Sequence, residues 1–336
     1  MNILVWHVHG SWATAFVRGR HRYLIPTLPE RGPWGGGRPA AWDWPPSAVE
    51  VSPADLADAD VDVVVLQRPE ELELAQDWLR RTPGRDVPAV YVEHNTPRGH
   101  AVTSRHPVAD RDDLLLVHVT HFNQLMWDAG HTRTAVVEHG VVDPGHRYSG
   151  EMAAAAVAVN EPLRRGRITG TDLLPRFAAA VPLDVFGIAT DGLDAALGTG
   201  GRIRERGDLP QHRMHAEMAR RRVYLHLSRW TSLGLSLIEA MHLGMPVVAL
   251  ATTEAAEAVP PGTGCCSTDP GRLERALREL VAEPELARRQ GEAARAHALA
   301  RYGLDRFLGD WDALLADVTD RPATRVPVAS AMNGRS

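Results

Sequence analysis

Residues 224–250 read YLHLSRWTSLGLSLIEAMHLGMPVVAL, and they carry the clearest sequence evidence for the architecture of the chain. It starts as an apolar strand, breaks at residues 228–232, and continues as a helix whose apolar positions recur with helical spacing. Gly244, Met245 and Pro246 end that helix, and the Val-rich run behind them predicts another strand. A strand, a helix and a further strand in this order form the βαβ unit of a parallel sheet.

The same alternation of short apolar runs and helix-length stretches extends along the chain. Continuous runs rich in Val and Leu are typical of strands that are buried on both faces of a parallel sheet. We predict strands at residues 2–8, 61–67, 88–93, 114–120, 134–138, 155–159, 183–186, 223–227 and 246–250. The stretch 18–53, which holds the run Gly35-Gly36-Gly37 and three Trp, is interpreted as a flexible loop or as a loop that contacts an acceptor through its Trp rings.

The length of 336 residues suits two domains of roughly 150 residues each. We therefore predict an α/β protein with two facing, doubly wound, Rossmann-like domains and a cleft between them. The predicted parts are an N-terminal domain at 1–148, a C-terminal domain at 149–304, a helix at 305–320 that packs back on the first domain, and a disordered tail at 321–336.

The composition is that of an ordinary globular protein, with 44% hydrophobic and 24% charged residues. A formal net charge of −5 argues against nucleic acid as a partner. All 37 basic residues are Arg, so a phosphate-binding cation must be Arg or His. The adjacent Cys265 and Cys266 form neither a disulfide framework nor a zinc site. No apolar run approaches the ~20 residues of a membrane span, and the first residues do not resemble a signal peptide. We expect a soluble, cytoplasmic protein, with peripheral membrane contact and oligomeric state left open.

The start of the helix within 224–250 predicts an anion site. The first backbone N–H groups of a helix have no partner inside it and attract phosphate. Ser232, Leu233, Gly234 and Leu235 lie at this start; Ser232 would cap or donate, and Gly234 would let a phosphate approach. The carboxylate of Glu239, further along the helix, is placed to accept hydrogen bonds from a ribose diol. A phosphate at the helix end and a ribose beside the helix together suggest a nucleoside diphosphate.

This segment resembles the donor-binding signature of retaining glycosyltransferases of family 4, which have the GT-B fold. The family pattern P-S-x-x-E-G-F-G-L-x-x-L-E-A-M-A-x-G-x-P-V-V-A aligns without gaps with residues 227–249. The resemblance continues at 261–273 (PGTGCCSTDPGRL) and 284–294 (PELARRQGEAA), with weaker similarity at 138–143 (EHGVVD) and 167–174 (RITGTDLL). It covers the C-terminal half well and the N-terminal half in outline.

One departure from the family pattern concerns the donor sugar. The family has two Glu separated by seven residues; the second matches Glu239, which the resemblance assigns to the ribose, but Thr231 stands at the first position. In the family that first Glu holds hydroxyls of the donor sugar. The change leaves two interpretations, an altered choice of donor or a loss of activity. Thr231 retains the capacity for one hydrogen bond.

The resemblance also implies cations for the leaving diphosphate. The family uses an Arg and a Lys in the loop after the first strand of the second domain, and this chain has Arg164, Arg165 and Arg167 there. We predict that Arg165 contacts the diphosphate, with Arg164 or Arg167 as its helper; a solvated basic loop is the alternative. The guanidinium fork suits two phosphate oxygens. With these cations and the helix start on the phosphates, we predict no metal ion and no cofactor.

Two candidate residues come from the N-terminal domain. In the resembled family, a His at the end of a strand faces the donor sugar, and His94 matches it; its predicted role is positioning and charge stabilisation. The alternative is a structural His. Gly10, in the segment His9-Gly10-Ser11 after the first strand, would let the backbone approach a phosphate or an acceptor. His212 and His215 are interpreted as surface residues.

The sequence thus predicts a metal-independent glycosyltransferase that moves a sugar from a nucleoside-diphosphate sugar to a hydroxyl of a small molecule or glycan, with retention. A nucleotide-sugar 2-epimerase, a non-catalytic nucleotide-sugar binder and a scaffold that uses only the fold are the alternatives. UDP, GDP and ADP remain open as the nucleotide.

Overall fold

The computed structural model describes residues 1–39 and 42–320 and contains two parallel β-sheets. The first sheet has seven strands in the order β3-β2-β1-β4-β5-β6-β7. Its strands are β1 (Asn2–Val5), β2 (Arg22–Pro26), β3 (Ala48–Val51), β4 (Val63–Leu66), β5 (Ala89–Glu93), β6 (Leu115–His118) and β7 (Arg133–Val136). The second sheet has six strands in the order β10-β9-β8-β11-β12-β13. They are β8 (Met152–Ala158), β9 (Leu183–Phe186), β10 (Ile203–Gly207), β11 (Arg221–His226), β12 (Val247–Leu250) and β13 (Gly264–Ser267).

Long crossover segments connect the parallel strands, and most of them contain helices. Those of the first half are α1 (Gly10–Phe16), α2 (Pro53–Leu56), α3 (Glu70–Leu79) and α4 (His121–Met126). Those of the second half are α5 (Pro162–Arg165), α6 (Leu174–Ala180), α7 (Leu193–Leu197), α8 (Gln211–Met218), α9 (Leu235–Leu243), α10 (Ala255–Ala258), α11 (Pro270–Ala282), α12 (Pro284–Tyr302) and α13 (Leu304–Asp320). Short 3₁₀ turns at Gly166–Ile168 and Thr171–Leu173 lie between α5 and α6. The predicted α/β class and the doubly wound parallel sheets are confirmed.

The structure corrects the interpretation of residues 18–53 as a loop. This stretch contributes β2 and β3, which pair in parallel with β1 and with each other. Only the first residue of β3, Ala48, is buried, because this strand lies at the sheet edge. The edge strands β10 and β13 were also not predicted, since neither is continuously apolar. The predicted disordered tail at 321–336 lies outside the described residues.

The last helix, α13, packs on the first sheet. Phe307, Trp311 and Leu315 are buried in one cluster with residues of β1 and α1, among them Ile3 and Trp12. The chain therefore crosses between the two sheets twice, once at 137–151 and again near Gly303. Val141 and Gly303 form a β-bridge where the crossings meet. The domain limits at 148 and 304 stay predictions.

Contacts between the two halves lie beside the carboxyl ends of the strands. The Trp230 indole N–H donates to the carbonyl of Pro97 at 2.9 Å, and the backbone N–H of Phe122 donates to the Glu254 carboxylate at 2.8 Å. The rings of Phe122 and Trp230 meet edge to face, with centroids 5.6 Å apart. These contacts form one border of a cleft into which both sheets direct their carboxyl ends, the position where ligands bind in open α/β folds.

Candidate functional site

A cavity of about 760 Å³ occupies this cleft. Its volume lies within the range of small-molecule sites. It is lined by loops that follow β1, β8, β9, β10 and β11 and by the start of α9. Its lining residues include His9, Ser11, Trp42, Asn160, Arg165, Ile188, Asp208, Gln211, Thr231, Gly234, Leu235, Ser236 and Glu239. Two further cavities, of about 430 and 390 Å³, border β13 and contain none of the predicted site residues.

The start of α9 forms part of the cavity wall. The helix begins at Leu235 after Gly234, and no side chain caps it. Its first backbone N–H groups are therefore free to meet an anion. Gly234 is also required by packing, because a Cβ atom there would come within 2.7 Å of the His226 ring. At the other end, Gly244 adopts a φ of 89° and stops the helix, as predicted.

Glu239 lies in the cavity wall and is only 3% exposed. Its Oε1 accepts hydrogen bonds from Ser11 Oγ at 3.1 Å and from Gln211 Nε2 at 2.9 Å. Its Oε2 lies 3.2 Å from His215 Nε2. Burial opposes ionisation, but the contacts with His215, Ser11 and Gln211 together hold the pKa of Glu239 below its usual value. The carboxylate is therefore ionised at neutral pH and held in a fixed orientation.

The three arginines of the α5 region differ in their partners. Arg164 is exposed and forms a double hydrogen bond with Glu161. Arg167 is exposed and pairs with Asp172 at 2.9 Å. Arg165 is half-buried, lines the cavity, and has no carboxylate partner among residues 1–39 and 42–320. Burial, with the neighbouring Arg164 guanidinium, lowers the pKa of Arg165. An anion in the cavity would supply the missing counter-charge.

The predicted helpers of Arg165 therefore point elsewhere. Arg164 and Arg167 are not among the residues that line the cavity, within the described chain. Arg164 pairs with Glu161 and Arg167 pairs with Asp172, because each acid lies only a few residues from its arginine in the chain. The structure corrects the expectation that either one assists Arg165 at the cleft.

Thr231 also lines the cavity, at the position where the resembled family has its first Glu. Its Oγ1 is buried and makes no hydrogen bond within the described residues. A buried hydroxyl without a partner is uncommon and costs free energy. The Thr231 hydroxyl is therefore available to a ligand that enters this part of the cavity.

Ser232 and Leu233 do not line the cavity. Ser232 Oγ donates to the backbone carbonyl of His94 at 2.7 Å, which makes it a bridge between the two halves and not a helix cap. The Leu233 side chain is buried in the core of the second sheet. The Ser232 hydroxyl therefore does not cap α9, and contact of the Leu233 backbone N–H with a phosphate stays a prediction.

His94 lies one layer behind the cavity wall. Its ring stacks on His9 with centroids 4.1 Å apart and contacts Trp12 edge to face at 4.9 Å. His94 Nε2 is buried without a hydrogen-bond partner. Burial, together with the nearby His9 and His139, holds the pKa of His94 well below its usual value. His9, and not His94, lines the cavity in the described structure.

The space above Gly10 is filled by protein. A Cβ atom at this position would lie 3.0 Å from the Trp42 ring, so the indole packs against the Gly10 backbone. Gly10 is absent from the cavity lining of the described chain, whereas its neighbours His9 and Ser11 and the covering Trp42 are present. The expectation that Gly10 admits a phosphate is therefore wrong; the Gly accommodates Trp42.

Sequence reasoning missed two partners of Glu239. His215, interpreted from the sequence as a surface residue, is 5% exposed and contacts the carboxylate. Gln211 lies one turn earlier on α8 and faces the same oxygen pair. Their spacing of four residues places them on one helix face and was the available signal. Only the tertiary contact between α8 and α9 shows what that face meets.

The described residues contain no group of three or more His, Cys, Asp or Glu arranged to hold a metal ion. Within the same residues, no helix is long and apolar enough to cross a membrane.

Two doubly wound sheets that face each other across a cleft define the GT-B architecture, and solved structures share it. Sucrose-phosphate synthase from Thermosynechococcus elongatus superposes with a TM-score of 0.72 at 14% identity, covering 94% of this chain and 98% of that one. HepE from Anabaena, solved with UDP-glucose, gives a TM-score of 0.62 at 16% identity over 94% of this chain and 100% of its own. TarM from S. aureus, solved with UDP, gives 0.62 at 14% identity over 75% and 55%. At these identities the similarity shows the fold.

The family match lies in the second half of the chain. Residues 191–297, which carry α9 and Glu239, match the family described as glycosyl transferases group 1. A comparison with curated protein sequences gives no match. The GT-B fold and the group 1 match over residues 191–297 show a glycosyltransferase and confirm the resemblance found in residues 227–249, while the retaining mechanism stays a prediction.

Proposed function

We propose that the chain transfers a sugar from a nucleoside-diphosphate sugar to an acceptor hydroxyl, with retention of the anomeric configuration and without a metal ion. The observation that carries the proposal is the convergence on one cavity of a free helix start, the unpaired Arg165 and the oriented Glu239. HepE and TarM, which share the fold, were solved with UDP or UDP-glucose.

In this proposal the diphosphate rests between Arg165 and the first amides of α9. Both carry positive electrostatic potential toward the cavity, and a guanidinium can hold two phosphate oxygens at once. The helix start supports this assignment because it has no side-chain cap. These two groups would neutralise the leaving diphosphate in place of a metal ion.

The ribose is proposed to bind Glu239. A carboxylate has about four acceptor positions, and Ser11, Gln211 and His215 use three of them here. The contact with Ser11 comes from the other half of the chain, so a small opening of the cleft would free a second position. A ribose diol could then donate two hydrogen bonds.

The chemical step follows from these positions. The bond between the anomeric carbon and the diphosphate oxygen breaks while the acceptor oxygen bonds to the same face of the sugar. The acceptor's hydroxyl proton passes to the leaving diphosphate. Negative charge grows on the phosphate oxygens, and Arg165 and the α9 amides would stabilise it where it develops.

The decisive experiment is a thermal-shift panel with UDP, GDP and ADP. A nucleotide at 100 times its dissociation constant should stabilise the fold by about 2.7 kcal/mol. Glu239→Ala should abolish the largest shift, whereas Glu285→Ala, an exposed carboxylate on α12, should leave it intact. An equal shift in wild type and Glu239→Ala would refute the ribose assignment.

A second assay separates a transferase from a non-catalytic binder. A transferase slowly hydrolyses its donor when no acceptor is present, because water reaches the activated anomeric carbon; a binder does not. The product's anomeric configuration, measured by NMR, tests retention. Turnover in excess EDTA tests independence from a metal ion.

A further inference from the structure

The wall of the cavity that faces Arg165 and Glu239 is narrow and chemically distinct. Of the described residues that line the cavity, only His9, Ser11 and Trp42 come from the first half of the chain. The groups proposed to hold the donor all belong to the second half. A second substrate that enters the cavity must therefore meet these three residues.

Their hydrogen-bonding capacities differ. Ser11 Oγ donates to Glu239 Oε1 and accepts from Gln211 Nε2 at 3.5 Å, so it is engaged both as donor and as acceptor. The Trp42 indole N–H is only a donor. The His9 ring makes no hydrogen bond to any residue in 1–39 or 42–320. Its nitrogens are also not among the buried polar atoms that lack a partner, so they are not closed off by protein. His9 is thus the residue of this wall with an acceptor atom free for a ligand.

His9 is also held in place and kept neutral. It precedes α1, and its carbonyl accepts from the Ala13 N–H at 2.8 Å. Its ring stacks on His94, which in turn packs against Trp12. Burial is the main cause that lowers the pKa of His9 to about 4, against the opposing charge of Glu93. A neutral imidazole offers one nitrogen as donor and the other as acceptor.

We propose that His9 accepts a hydrogen bond from the acceptor hydroxyl as it binds and so orients it toward the anomeric carbon; the proton then turns from His9 to the leaving diphosphate as the new bond to the sugar forms. His94 is a positioning residue that fixes the His9 ring from behind. Trp42 supplies an apolar face beside this hydroxyl, where an indole can pack on the C–H face of a ring. The inference rests on the proposed function and adds the residue that selects a hydroxyl over water.

The test compares two rates of the same enzyme, transfer to an acceptor and hydrolysis of the donor by water, and so separates effects on the acceptor from effects on the donor. The donor probe is UDP-glucose or GDP-mannose, whichever the wild-type protein hydrolyses, and glycerol at high concentration is the acceptor probe. His9→Ala should lower glycerol-dependent release of the nucleotide roughly 10- to 100-fold. The thermal shift with nucleotide should stay within about twofold, and hydrolysis by water should fall much less than transfer to glycerol. His9→Asn, which keeps an acceptor atom, should recover part of the glycerol rate.

Two further variants test the positioning role. His94→Ala should lower the glycerol-dependent rate and raise the glycerol KM, and His94→Phe, which keeps a ring against His9, should recover most of the loss. His212→Ala, an exposed His on α8, is the matched control. Two results would overturn the inference. If His9→Ala lowered hydrolysis and transfer equally, His9 would act on the donor and not on the acceptor. If transfer were unchanged, His9 would have no part in the reaction. A wild-type protein that neither binds a nucleotide nor hydrolyses a donor would instead contradict the proposed function.

Discussion

At the scale of single residues, Arg165 stands out from its neighbours because it lacks a counter-ion. A guanidinium that faces a cavity without a carboxylate is available to an anionic ligand, whereas Arg164 and Arg167 are already neutralised. The sequence places three arginines within four positions, and the resemblance favours Arg165 with Arg164 or Arg167 as its helper. The local acids Glu161 and Asp172 decide among them, and their contacts depend on the turns of this segment.

Arg165→Ala should therefore reduce turnover far more than stability. Loss of a group that stabilises charge in a closed site costs about 2.7–4 kcal/mol of activation free energy, or roughly 10²- to 10³-fold in kcat. The unfolding free energy should change by less than about 1 kcal/mol, since no ion pair is broken. Steady-state kinetics and urea unfolding measure the two effects, with Arg289→Ala on α12 as an exposed control. Normal turnover in Arg165→Ala would move the phosphate contact to another group.

Thr231 carries the second prediction at this scale. Its buried, unpartnered hydroxyl should form one hydrogen bond with the donor sugar, worth about 0.5–1.5 kcal/mol. Thr231→Val, which removes the hydroxyl at nearly constant volume, should lower kcat/KM for the donor roughly two- to tenfold. Thr231→Ser should retain most of the activity. Identical efficiency of the Val and wild-type proteins would show that the donor sugar does not reach this hydroxyl.

At the scale of elements, most central strands were predictable, with β2 as the exception, and most edge strands were not. Runs such as VVVL in β4 and VVAL in β12 are buried throughout, and the rule for parallel sheets detects them. β10, with the sequence IRERG, exposes alternate charged residues at an edge and resembles a loop. A continuous apolar run indicates a strand that is buried on both faces of the sheet. An edge strand, which has only one neighbouring strand, is less buried and lacks such a run.

The candidate site likewise has parts that the local sequence predicts and parts that only the folded structure shows. The helix start at Gly234 and the position of Glu239 followed from local sequence, because a helix fixes the spacing of its own residues. The partners of Glu239 did not, since Ser11 lies 228 residues away and reaches it only when α1 faces α9. Local sequence also could not show that His9, and not His94, lines the cavity, because this depends on which of the two stacked rings lies nearer to the cavity.

The contact between α1 and α9 gives the prediction for this scale. Ser11 occupies an acceptor position on Glu239 that a ribose hydroxyl would need. Ser11→Ala removes this competitor, and the hydrogen bond lost is worth about 0.5–1.5 kcal/mol. We expect the variant to bind its nucleoside diphosphate roughly two- to tenfold more tightly, measured by calorimetry. Weaker binding would mean that Ser11 contacts the nucleotide directly.

At the scale of the whole molecule, buried histidines at the carboxyl ends of strands couple stability to pH. His118 ends β6 and is fully buried, and His139 follows β7 and is 4% exposed. Both ring nitrogens of each lack a partner within the described residues. Burial lowers the pKa of each to about 3, with a smaller effect of His106 on His118 and of His9 and Arg306 on His139. Both are therefore neutral in the folded protein at neutral pH.

The sign of the effect follows from the two states. The unfolded chain binds a proton at each His near pH 6.5, whereas the folded chain does so only near pH 3. Stability is therefore full above pH 6.5 and falls as the pH drops through that value toward 3. At pH 5 each of these histidines should cost about 2 kcal/mol relative to pH 8. Carboxylates with a lowered pKa, such as Glu239, act only at lower pH. The buried Glu71, whose pKa is raised by burial, acts against the histidines in this window, because the folded chain binds its proton more readily than the unfolded chain does.

Urea unfolding at pH 8 and pH 5 should therefore show a loss of several kcal/mol in wild type. His118→Leu, which cannot be protonated, should reduce the difference between the two pH values by about 2 kcal/mol, whatever its own stability at pH 8. The difference between pH values is the informative quantity, because it cancels the packing change caused by the substitution. A pH difference that His118→Leu leaves unaltered would show that His118 is protonated equally in both states, and thus that its ring is not shielded from water at the end of β6.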